Sequence, residues 1–326
     1  MNQSNSPSTG GKRVPTVSVV VPSYNHAEFV QTTLRSIFNQ TAPPKELLVI
    51  DDGSSDGSAQ IIEQTLRDCP FPCDFIARAN RGLCSTLNEG LAKTDGKYFA
   101  YLSSDDLWLP EFLEARVARL DATLQAVLGY GHCYLIDAHN LIIDCTSDWA
   151  DYTDGNARRM LLAQTFAPMS PTVLYRRDAL EKEGWDEQAR LEDYDLYLRL
   201  STTGVFAFDP QVLSAWRQHE DNTSRDFMWM IEARLAAQRR VAERMSLTAT
   251  ELERLQNVLR LAGAEDLCRL GQKGKALQIL KGSGRLPLSA AGLRLLARLC
   301  EPVSLTKWRR KRKQKRATER YGSLVI

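Results

Sequence analysis

The chain has 326 residues, of which 43% are hydrophobic and 25% are charged, as in a globular protein with one large domain and an appendage. No apolar run approaches the ~20 residues that a membrane-spanning helix needs, and the polar N-terminus lacks the apolar core of a signal peptide. The net charge of +2 is divided unevenly: residues from Asp226 onward carry 22 lysines and arginines against 9 acids, or +13, and the preceding residues carry −11.

The first third of the chain predicts strands alternating with helices. A β-branched run begins at Val17 and stops at Pro22, which indicates a buried strand. Asn25, with Glu28 three residues later, predicts the N-cap of a helix. Further strands are predicted at 47–50, 74–78 and 98–102, and further helices after Ser55 or Asp56, at 83–92 and at 111–124. This alternation with short links predicts a parallel, doubly wound sheet.

After residue 127 the pattern changes to strands and loops, with short helices near 157–163 and 178–183 and an amphipathic helix from about 193 to 201. Residues 226 to about 298 are nearly all helical in their periodicity. Eight of the ten residues from 307 to 316 are Lys or Arg. The predicted organisation is a disordered N-terminus (1–13), an α/β domain (14–225), an α-helical region (226–300) and a basic C-terminal tail (301–326).

Acidic residues stand where the predicted strands end. Asp51 and Asp52 end the second strand, and Asp105 and Asp106 follow the fourth. Ligands of open α/β sheets bind at the carboxyl ends of the strands, so these acids should share one cleft. Clustered carboxylates repel one another unless a cation joins them, and Mg²⁺ or Mn²⁺ carrying a phosphorylated substrate is the usual partner. The structural alternative is a pair of acids that caps the helix after Pro110.

Two side chains near the first strand ends suit a nucleotide. Tyr24 can stack on a nucleobase, with a half-buried Tyr in a turn as the alternative. Asp52 can accept hydrogen bonds from a base or a ribose hydroxyl, while the following Gly53 and Ser54 also form a tight turn.

A third acidic segment opens the amphipathic helix. A carboxylate there is favoured by the helix dipole whatever its function, and in a cleft it can accept the proton of an attacking hydroxyl. Asp193 is the predicted base. Glu192 and Asp195 compete with it, and Asp195 should lie on the opposite side of the first turn if Asp193 faces the cleft.

Six segments follow one another in a specific order: Val-Val-Val-Pro-Ser-Tyr-Asn (19–25), Val-Ile-Asp-Asp-Gly-Ser (49–54), Asn-Arg-Gly with Leu-Asn-Glu-Gly (80–82 and 87–90), Gly-Lys-Tyr-Phe (96–99), Leu-Ser-Ser-Asp-Asp (102–106) and Glu-Asp-Tyr-Asp-Leu (192–196). Together they resemble glycosyltransferase family two, the inverting nucleotide-sugar glycosyltransferases of the GT-A fold, from Val17 to about Ser224. The resemblance implies a Rossmann-like, doubly wound and mostly parallel sheet, here followed by a C-terminal α-helical appendage.

By this resemblance Pro22, Tyr24 and Asp52 contact the nucleotide, Asp105 binds the metal and Asp193 is the catalytic base. His219 would complete the metal shell or close over the diphosphate. Ser103 stands where the family's metal motif often begins with Asp, which implies weaker metal binding. Leu87 stands where the family often has Arg, so Arg81 is the substitute contact to the diphosphate. The other residues predicted to line the nucleotide-sugar site are Asn25, Asn88, Ser104, Asp106 and Glu192, whereas His26, His132 and His139 receive no role.

The predicted function is hexosyl or related sugar transfer from a nucleoside-diphosphate sugar to a hydroxyl of a glycan or a lipid-linked acceptor, with Mg²⁺ or Mn²⁺ as cofactor. A nucleotidyltransferase is one alternative, but the Gly-rich basic loop expected after the first strand is missing. A non-catalytic nucleotide-sugar-binding module is another, and Asp193 argues against it. A dinucleotide oxidoreductase would need a Gly-x-Gly-x-x-Gly turn, which no strand precedes.

The basic residues 307–316 predict an anionic membrane surface as a partner, since clustered Lys and Arg are worth ~1 kcal/mol each near such lipids and Trp308 lies among them. A solvated, disordered end is the alternative, and nucleic acid is not expected. The seven cysteines are odd in number and lack zinc-type spacing, which indicates reduced thiols. The predicted location is cytoplasmic, peripheral on the inner face of the cell membrane.

Overall fold

The computed structural model describes residues 16–220, 222, 226–281 and 290–325, so the predicted disorder of 1–13 lies outside the described residues. The strands are β1 (Val17–Ser23), β2 (Glu46–Asp51), β3 (Cys73–Ala77), β4 (Tyr98–Tyr101), β5 (Leu107–Trp108), β6 (Ala126–Ile136), β7 (Ile142–Cys145), β8 (Leu174–Arg176) and β9 (Val205–Arg217). The helices of the first part are α1 (Val30–Phe38), α2 (Ser58–Leu66), α3 (Leu83–Lys93), α4 (Phe112–Ala122), α5 (Arg158–Ala163), α6 (Arg177–Glu183) and α7 (Glu192–Leu200). The second part has α8 (Phe227–Val241), α9 (Ala249–Arg269), α10 (Lys273–Leu280), α11 (Ala290–Cys300) and α12 (Val303–Tyr321).

A nine-stranded sheet in the order β3-β2-β1-β4-β8-β6-β9-β5, with β7 paired to β6, organises the first part of the chain. The four strands from β3 to β4 are parallel, as predicted. The other half is mixed, because β8 runs antiparallel to β4 and β6, while β6 and β9 are parallel. Helical crossovers connect the parallel strands, whereas β6 turns directly into β7, and a tight turn permits only antiparallel pairing.

Successive side chains of the central strands face opposite layers of the core, as the period of a strand requires. Val19 and Val21 pack in the layer that contains α1 and α4, and Val20 packs in the layer that contains α3 and α7. Gly90 of α3 lies so close to Val20 that an added Cβ would come within 2.7 Å of its Cγ1. The helix α3 therefore rests directly on β1, and its N-terminus lies at the carboxyl end of the parallel strands.

The first helix begins later than the sequence predicts. Asn25 is not its N-cap, because α1 starts at Val30 and Asn25 has a left-handed backbone with φ of 54°. Its side-chain Oδ1 accepts a hydrogen bond from the Ser55 N–H at 2.8 Å, and its own N–H donates to Ser54 Oγ at 2.8 Å. Asparagine tolerates this conformation better than most residues. Asn25 thus joins the loop after β1 to the loop after β2.

Helices α8 to α11 build a smaller core around Ile231, Leu259 and Leu267. The predicted basic tail is also helical over α12, whose end is fixed to β7: Thr318 Oγ1 donates to Ile142 O at 2.9 Å and the Ile142 N–H donates to Gly322 O at 3.0 Å. The disordered end considered as an alternative is therefore wrong for α12. Within the described residues, no helix combines the length and the apolar character that crossing a bilayer would require.

Candidate active site

The segments that follow β1, β2 and β4 meet at one edge of the sheet. The Asp52 N–H donates to Ser23 O at 2.8 Å, and the Leu102 N–H donates to Val20 O at 3.0 Å. The predicted acids Asp52 and Asp105 thereby follow β2 and β4, the two strands that flank β1 in the parallel part of the sheet.

Asp52 is buried and already has several partners. Its carboxylate accepts hydrogen bonds from the N–H groups of Arg81 at 2.9 Å and Gly82 at 2.8 Å, and it pairs with the Arg78 guanidinium. A carboxylate accepts about four hydrogen bonds, so only a small part of its capacity is left for a ligand. Asp52 fixes the start of α3 against the end of β2, and Arg78 is a member of this group that the sequence did not indicate.

The side chains of Tyr24 and Arg81 are exposed at this edge, Tyr24 by 49%. Both are therefore accessible from solvent, and their contact with a nucleotide stays a prediction. Pro22 is buried within β1 opposite Ile50, so its contribution to a ligand site is limited to shaping the wall of the cleft.

Asn88 does not present a free amide to the cleft. Its Nδ2 donates to Trp185 O at 2.8 Å, and its Oδ1 accepts from the Trp185 N–H at 2.9 Å. Both ends of the amide thus tie α3 to the segment that precedes α7. This geometry favours a positioning role for Asn88 over the predicted contact to the sugar nucleotide.

Asp105 lies beside two histidines. Its Oδ2 is 3.0 Å from His219 Nε2, and its Oδ1 is 3.8 Å from His26 Nδ1. One ligand atom from each of the three residues lies within 4.8 Å of the others. A carboxylate with imidazoles is a chemically suitable donor set for a divalent cation, so these residues fit the predicted metal.

The sequence assigned no role to His26, yet the structure brings it into this group. Its Nδ1 also lies 2.8 Å from Ser104 Oγ, another residue of the predicted site. The signal that could have identified His26 is its place directly after Asn25, at the same edge of the sheet as Asp105.

Asp106 is buried next to Asp105, and its carboxylate binds the backbone of β9. Its Oδ1 accepts from the Arg217 N–H at 2.8 Å, and Arg217 Nε donates to Asp105 O at 2.7 Å. Burial raises the pKa of Asp106 well above its usual value, and the Asp105 charge adds to this effect. Asp106 and Arg217 hold the segment that brings His219 to Asp105, so the geometry favours support over the predicted ligand contact.

Asp193 lies in the first turn of α7, as predicted. Its Oδ1 accepts a hydrogen bond from the Tyr101 OH at 2.5 Å. Burial and, to a smaller extent, the Glu192 carboxylate raise the pKa of Asp193, hydrogen bonds from Tyr101 and Trp185 lower it, and the net result is a pKa of about 8. The side chain keeps some access to solvent. A carboxylate with this proton affinity is suited to general-base chemistry near neutral pH.

The two competing carboxylates differ from Asp193. Asp195 is buried between two cations, with Arg199 Nε at 2.9 Å and Arg240 on the other side, so its charge is already paired within the protein. Burial also raises the pKa of Glu192, and this residue adjoins Asp193. Asp193 is the one of the three that a tyrosine from β4 orients.

The acids of α7 belong to the same edge of the sheet as Asp52. Burial, together with the charges of Glu192 and Asp193, raises the pKa of the Cys84 thiol to about 12. Cys84 lies in the first turn of α3, two residues after the Gly82 N–H that binds Asp52. Tyr101, the partner of Asp193, is the last residue of β4 and precedes Asp105 by four positions.

A sequence model of the family described as Glycosyl transferase family 2 matches residues 18–184. The chain is 31% identical over 170 residues to an uncharacterised glycosyltransferase of Nostoc sp., covering 51% of this chain and 52% of the relative. It is 28% identical over 214 residues to the chondroitin synthase of Escherichia coli, covering 65% and 30%. The chain thus spans about half or less of the length of these curated relatives.

Two solved structures are similar along most of the chain. The mannosyltransferase PcManGT of Pyrobaculum calidifontis, in complex with GDP-Man and Mn²⁺, matches with a TM-score of 0.60 and 17% identity over 94% of this chain and 87% of that one. Residues 1–349 of TarS of S. aureus, in complex with UDP-GlcNAc, match with a TM-score of 0.58 and 16% identity over 95% and 93%. The predicted α/β GT-A fold with a helical C-terminal region is confirmed.

Proposed function

The chain belongs to glycosyl transferase family 2, and from this premise we propose that it transfers a sugar from a nucleoside-diphosphate sugar to an acceptor hydroxyl, with inversion at the anomeric carbon. The observation that carries the proposal is the Asp193 carboxylate, whose pKa is raised to about 8 and which Tyr101 holds at the sheet edge that also carries Asp105. This is the arrangement of a base beside a cation site.

Asp193 accepts the proton of the acceptor hydroxyl while the hydroxyl oxygen attacks the anomeric carbon. The new bond joins that oxygen to the anomeric carbon, and the bond from the carbon to the diphosphate breaks, with its electron pair leaving on the diphosphate. A single displacement inverts the configuration. The Tyr101 hydrogen bond fixes Oδ1 of Asp193 and thereby orients the carboxylate that receives the proton.

The donor would bind along the carboxyl ends of β1, β2 and β4. The exposed ring of Tyr24 is available for stacking on the base, and Arg81 is available to the diphosphate. Asp105 and His219 would hold the divalent cation, Mg²⁺ or Mn²⁺, which supplies positive charge to the departing diphosphate. The complexes of PcManGT with GDP-Man and Mn²⁺ and of TarS with UDP-GlcNAc support a nucleotide-sugar donor.

The acceptor proposed is a glycan or lipid-linked molecule in polysaccharide biosynthesis, which the likeness to a chondroitin synthase supports. The helix α12 would place the protein on the anionic inner face of the cell membrane. Lys307, Arg310 and Lys311 are exposed on α12, and Trp308 is 53% exposed with the Arg312 guanidinium over its ring. Basic residues with an exposed indole suit an anionic lipid surface.

Replacement of the base tests the reaction. A thermal-shift screen against UDP-, GDP- and dTDP-sugars with Mn²⁺ first identifies the donor. Asp193→Asn is then expected to lower two rates by about 10²–10⁴-fold, the rate of sugar transfer and the slower rate of donor hydrolysis. The reason is that the amide cannot accept the proton. Donor affinity, measured by calorimetry, should change little.

Asp178→Asn is the control, since Asp178 is an exposed acid in the first turn of α6 and its loss should leave turnover unchanged. Robust turnover by Asp193→Asn would contradict the assignment of the base. Donor binding by the wild-type chain without transfer or hydrolysis would favour the non-catalytic alternative.

A further inference from the structure

We propose that His26 is a third protein ligand of the cation site formed by Asp105 and His219, and that its two imidazoles make the site select a transition-metal dication, such as Mn²⁺, Co²⁺ or Zn²⁺, over Mg²⁺. The inference rests on the proposed function in one respect, since it concerns the cation site that Asp105 and His219 form there. It adds one ligand and a metal preference that neither the fold nor the family match specifies.

The distances are compatible with one ion. Metal–ligand bonds of about 2.0–2.6 Å place two donor atoms of the same ion no more than about 4–5 Å apart. Asp105 lies 3.0 Å from His219 and 3.8 Å from His26, and all three ligand atoms lie within 4.8 Å of one another. Small side-chain movements therefore suffice to bring all three atoms to a shared centre.

The three residues come from three parts of the sheet, and His26 is held where it stands. Its backbone N–H donates to Ser58 Oγ at 3.0 Å, and its Nδ1, the atom that lies 3.8 Å from Asp105 Oδ1, is also 2.8 Å from Ser104 Oγ. The Phe29 ring packs against both imidazoles, with centroids 6.3 Å from His26 and 5.1 Å from His219. Ligands that are fixed before the metal arrives bind it with a smaller loss of side-chain entropy.

The composition of the donor set decides the metal. Mg²⁺ prefers oxygen ligands and keeps much of its water, whereas imidazole nitrogen is a ligand of the first-row transition-metal dications, of which Mn²⁺ binds the least tightly. Ser103 occupies the position where the family's motif often has Asp, so the site offers one carboxylate and two imidazoles. A site with one carboxylate has less negative charge than a site with two, and therefore attracts Mg²⁺ less. Three protein ligands also allow metal to bind without the nucleotide sugar.

The test uses the full chain and metal alone. Mn²⁺ binding is titrated by the EPR signal of the free ion, and pulsed EPR detects the nitrogens bound to Mn²⁺. The wild-type chain should bind one Mn²⁺ with two imidazole nitrogens, and at least a hundredfold excess of Mg²⁺ should be needed to displace it. His26→Ala should retain one nitrogen, lose about tenfold or more in Mn²⁺ affinity and narrow the preference over Mg²⁺.

Two further variants make the result specific. His26→Gln can keep a hydrogen bond to Ser104 without an imidazole, so it should behave as His26→Ala does even if the alanine variant is less stable. His139→Ala removes an exposed histidine of the β6–β7 turn and should bind Mn²⁺ as the wild-type chain does.

An unchanged nitrogen count and affinity in both His26 variants would overturn the inference and leave the proposed function intact, since Asp105 and His219 remain. A wild-type chain that fails to bind Mn²⁺ alone would overturn it as well. If the wild-type chain also fails to bind a cation together with the nucleotide sugar, the cation's part in the proposed function fails too.

Discussion

The carboxylate of Asp193 shows how the surroundings of one residue set its chemistry. The start of α7 favours its charged form through the helix dipole, and so does the hydrogen bond from Tyr101. Burial and the neighbouring Glu192 favour the neutral form, and their effect is the larger because the pKa rises to about 8. A base that is half ionised near the working pH combines proton affinity with availability.

The raised pKa of Asp193 predicts the pH dependence of the reaction. Since the charged form is the base, kcat/KM should increase tenfold per pH unit on the acid side and level off above about 8. Tyr101→Phe removes a hydrogen bond that stabilises the charged form, so the acid limb should move upward by about 0.5–1 pH unit, from ~0.5–1.5 kcal/mol for the bond. The measurement is kcat/KM from pH 5.5 to about 9.5.

Tyr98→Phe is the control for this shift, because Tyr98 is on the same strand and its OH donates to Asp121 instead. Its acid limb should coincide with that of the wild-type chain. An acid limb that stays in place or moves downward in Tyr101→Phe would contradict the role of Tyr101.

The residue types of the site were predictable, but their partners were not. Acids at strand ends and Asp193 at a helix start follow from local pattern. Tyr101 is 92 positions from Asp193, so only the three-dimensional path of the chain pairs these two residues. The pairing of His219 with Asp105, 114 positions apart, was expected from the family resemblance and not from local pattern. His26 was missed because its signal lies in its place directly after Asn25, at the same edge of the sheet as Asp105, and not in a pattern of its own.

At the scale of elements, hydrophobic periodicity identified the strands and helices that bury one regular face. Strands β1 to β4 and the helices between them fall close to their predicted places because each buries one regular face. The start of α1 was wrong because Asn25 satisfies a neighbouring loop and not its own helix. The mixed half of the sheet was not predicted, since β6, β8 and β9 are defined by long-range pairing rather than by their own sequences.

The close packing of α3 on β1 gives a prediction about stability. An alanine within a helix is usually more stable than a glycine by about 0.5–1 kcal/mol, but at Gly90 the new Cβ would lie 2.7 and 2.9 Å from the two methyl carbons of Val20. Overpacking of this kind costs about 1–3 kcal/mol. Gly90→Ala should therefore lower the free energy of unfolding by about 1–2 kcal/mol, as measured by urea denaturation.

Gly274 provides the matched control, because it lies in α10 and a Cβ there would meet no atom within 4 Å among the described residues. Gly274→Ala should leave the stability unchanged or raise it slightly. Equal or greater stability of Gly90→Ala would show that α3 can move away from β1 without loss, which the contacts of Val20 do not support.

At the scale of the whole molecule, the basic C-terminal helix α12 is attached to the acidic first part of the chain. The end of α12 is joined to the segment between β6 and β7, where the Leu324 N–H donates to Asn140 O at 3.0 Å. Arg217 Nη1 donates to Asp137 O at 2.9 Å in the same segment, and Arg217 Nε donates to Asp105 O at 2.7 Å. The basic helix is thus connected to the candidate metal site through a short series of contacts, which composition alone could not reveal.

This arrangement predicts that anionic membranes bind the protein through α12. Each basic residue near such a surface contributes ~1 kcal/mol, so replacing Lys307, Arg310 and Lys311 together by Gln should weaken binding to anionic vesicles by about a hundredfold. Co-sedimentation with vesicles that contain anionic lipid measures the change, and raising the salt concentration should weaken wild-type binding because the attraction is screened.

The control replaces Lys93, Arg239 and Arg254, which are exposed basic residues of α3, α8 and α9, by Gln. This variant has the same net charge as the α12 variant, so retention of its binding would locate the effect on α12 rather than in the overall charge. Equal binding of the wild-type chain to neutral and anionic vesicles would contradict the prediction. Binding that the α12 variant retains in full would do the same, because the exposed cations next to Trp308 would then contribute nothing to the attraction.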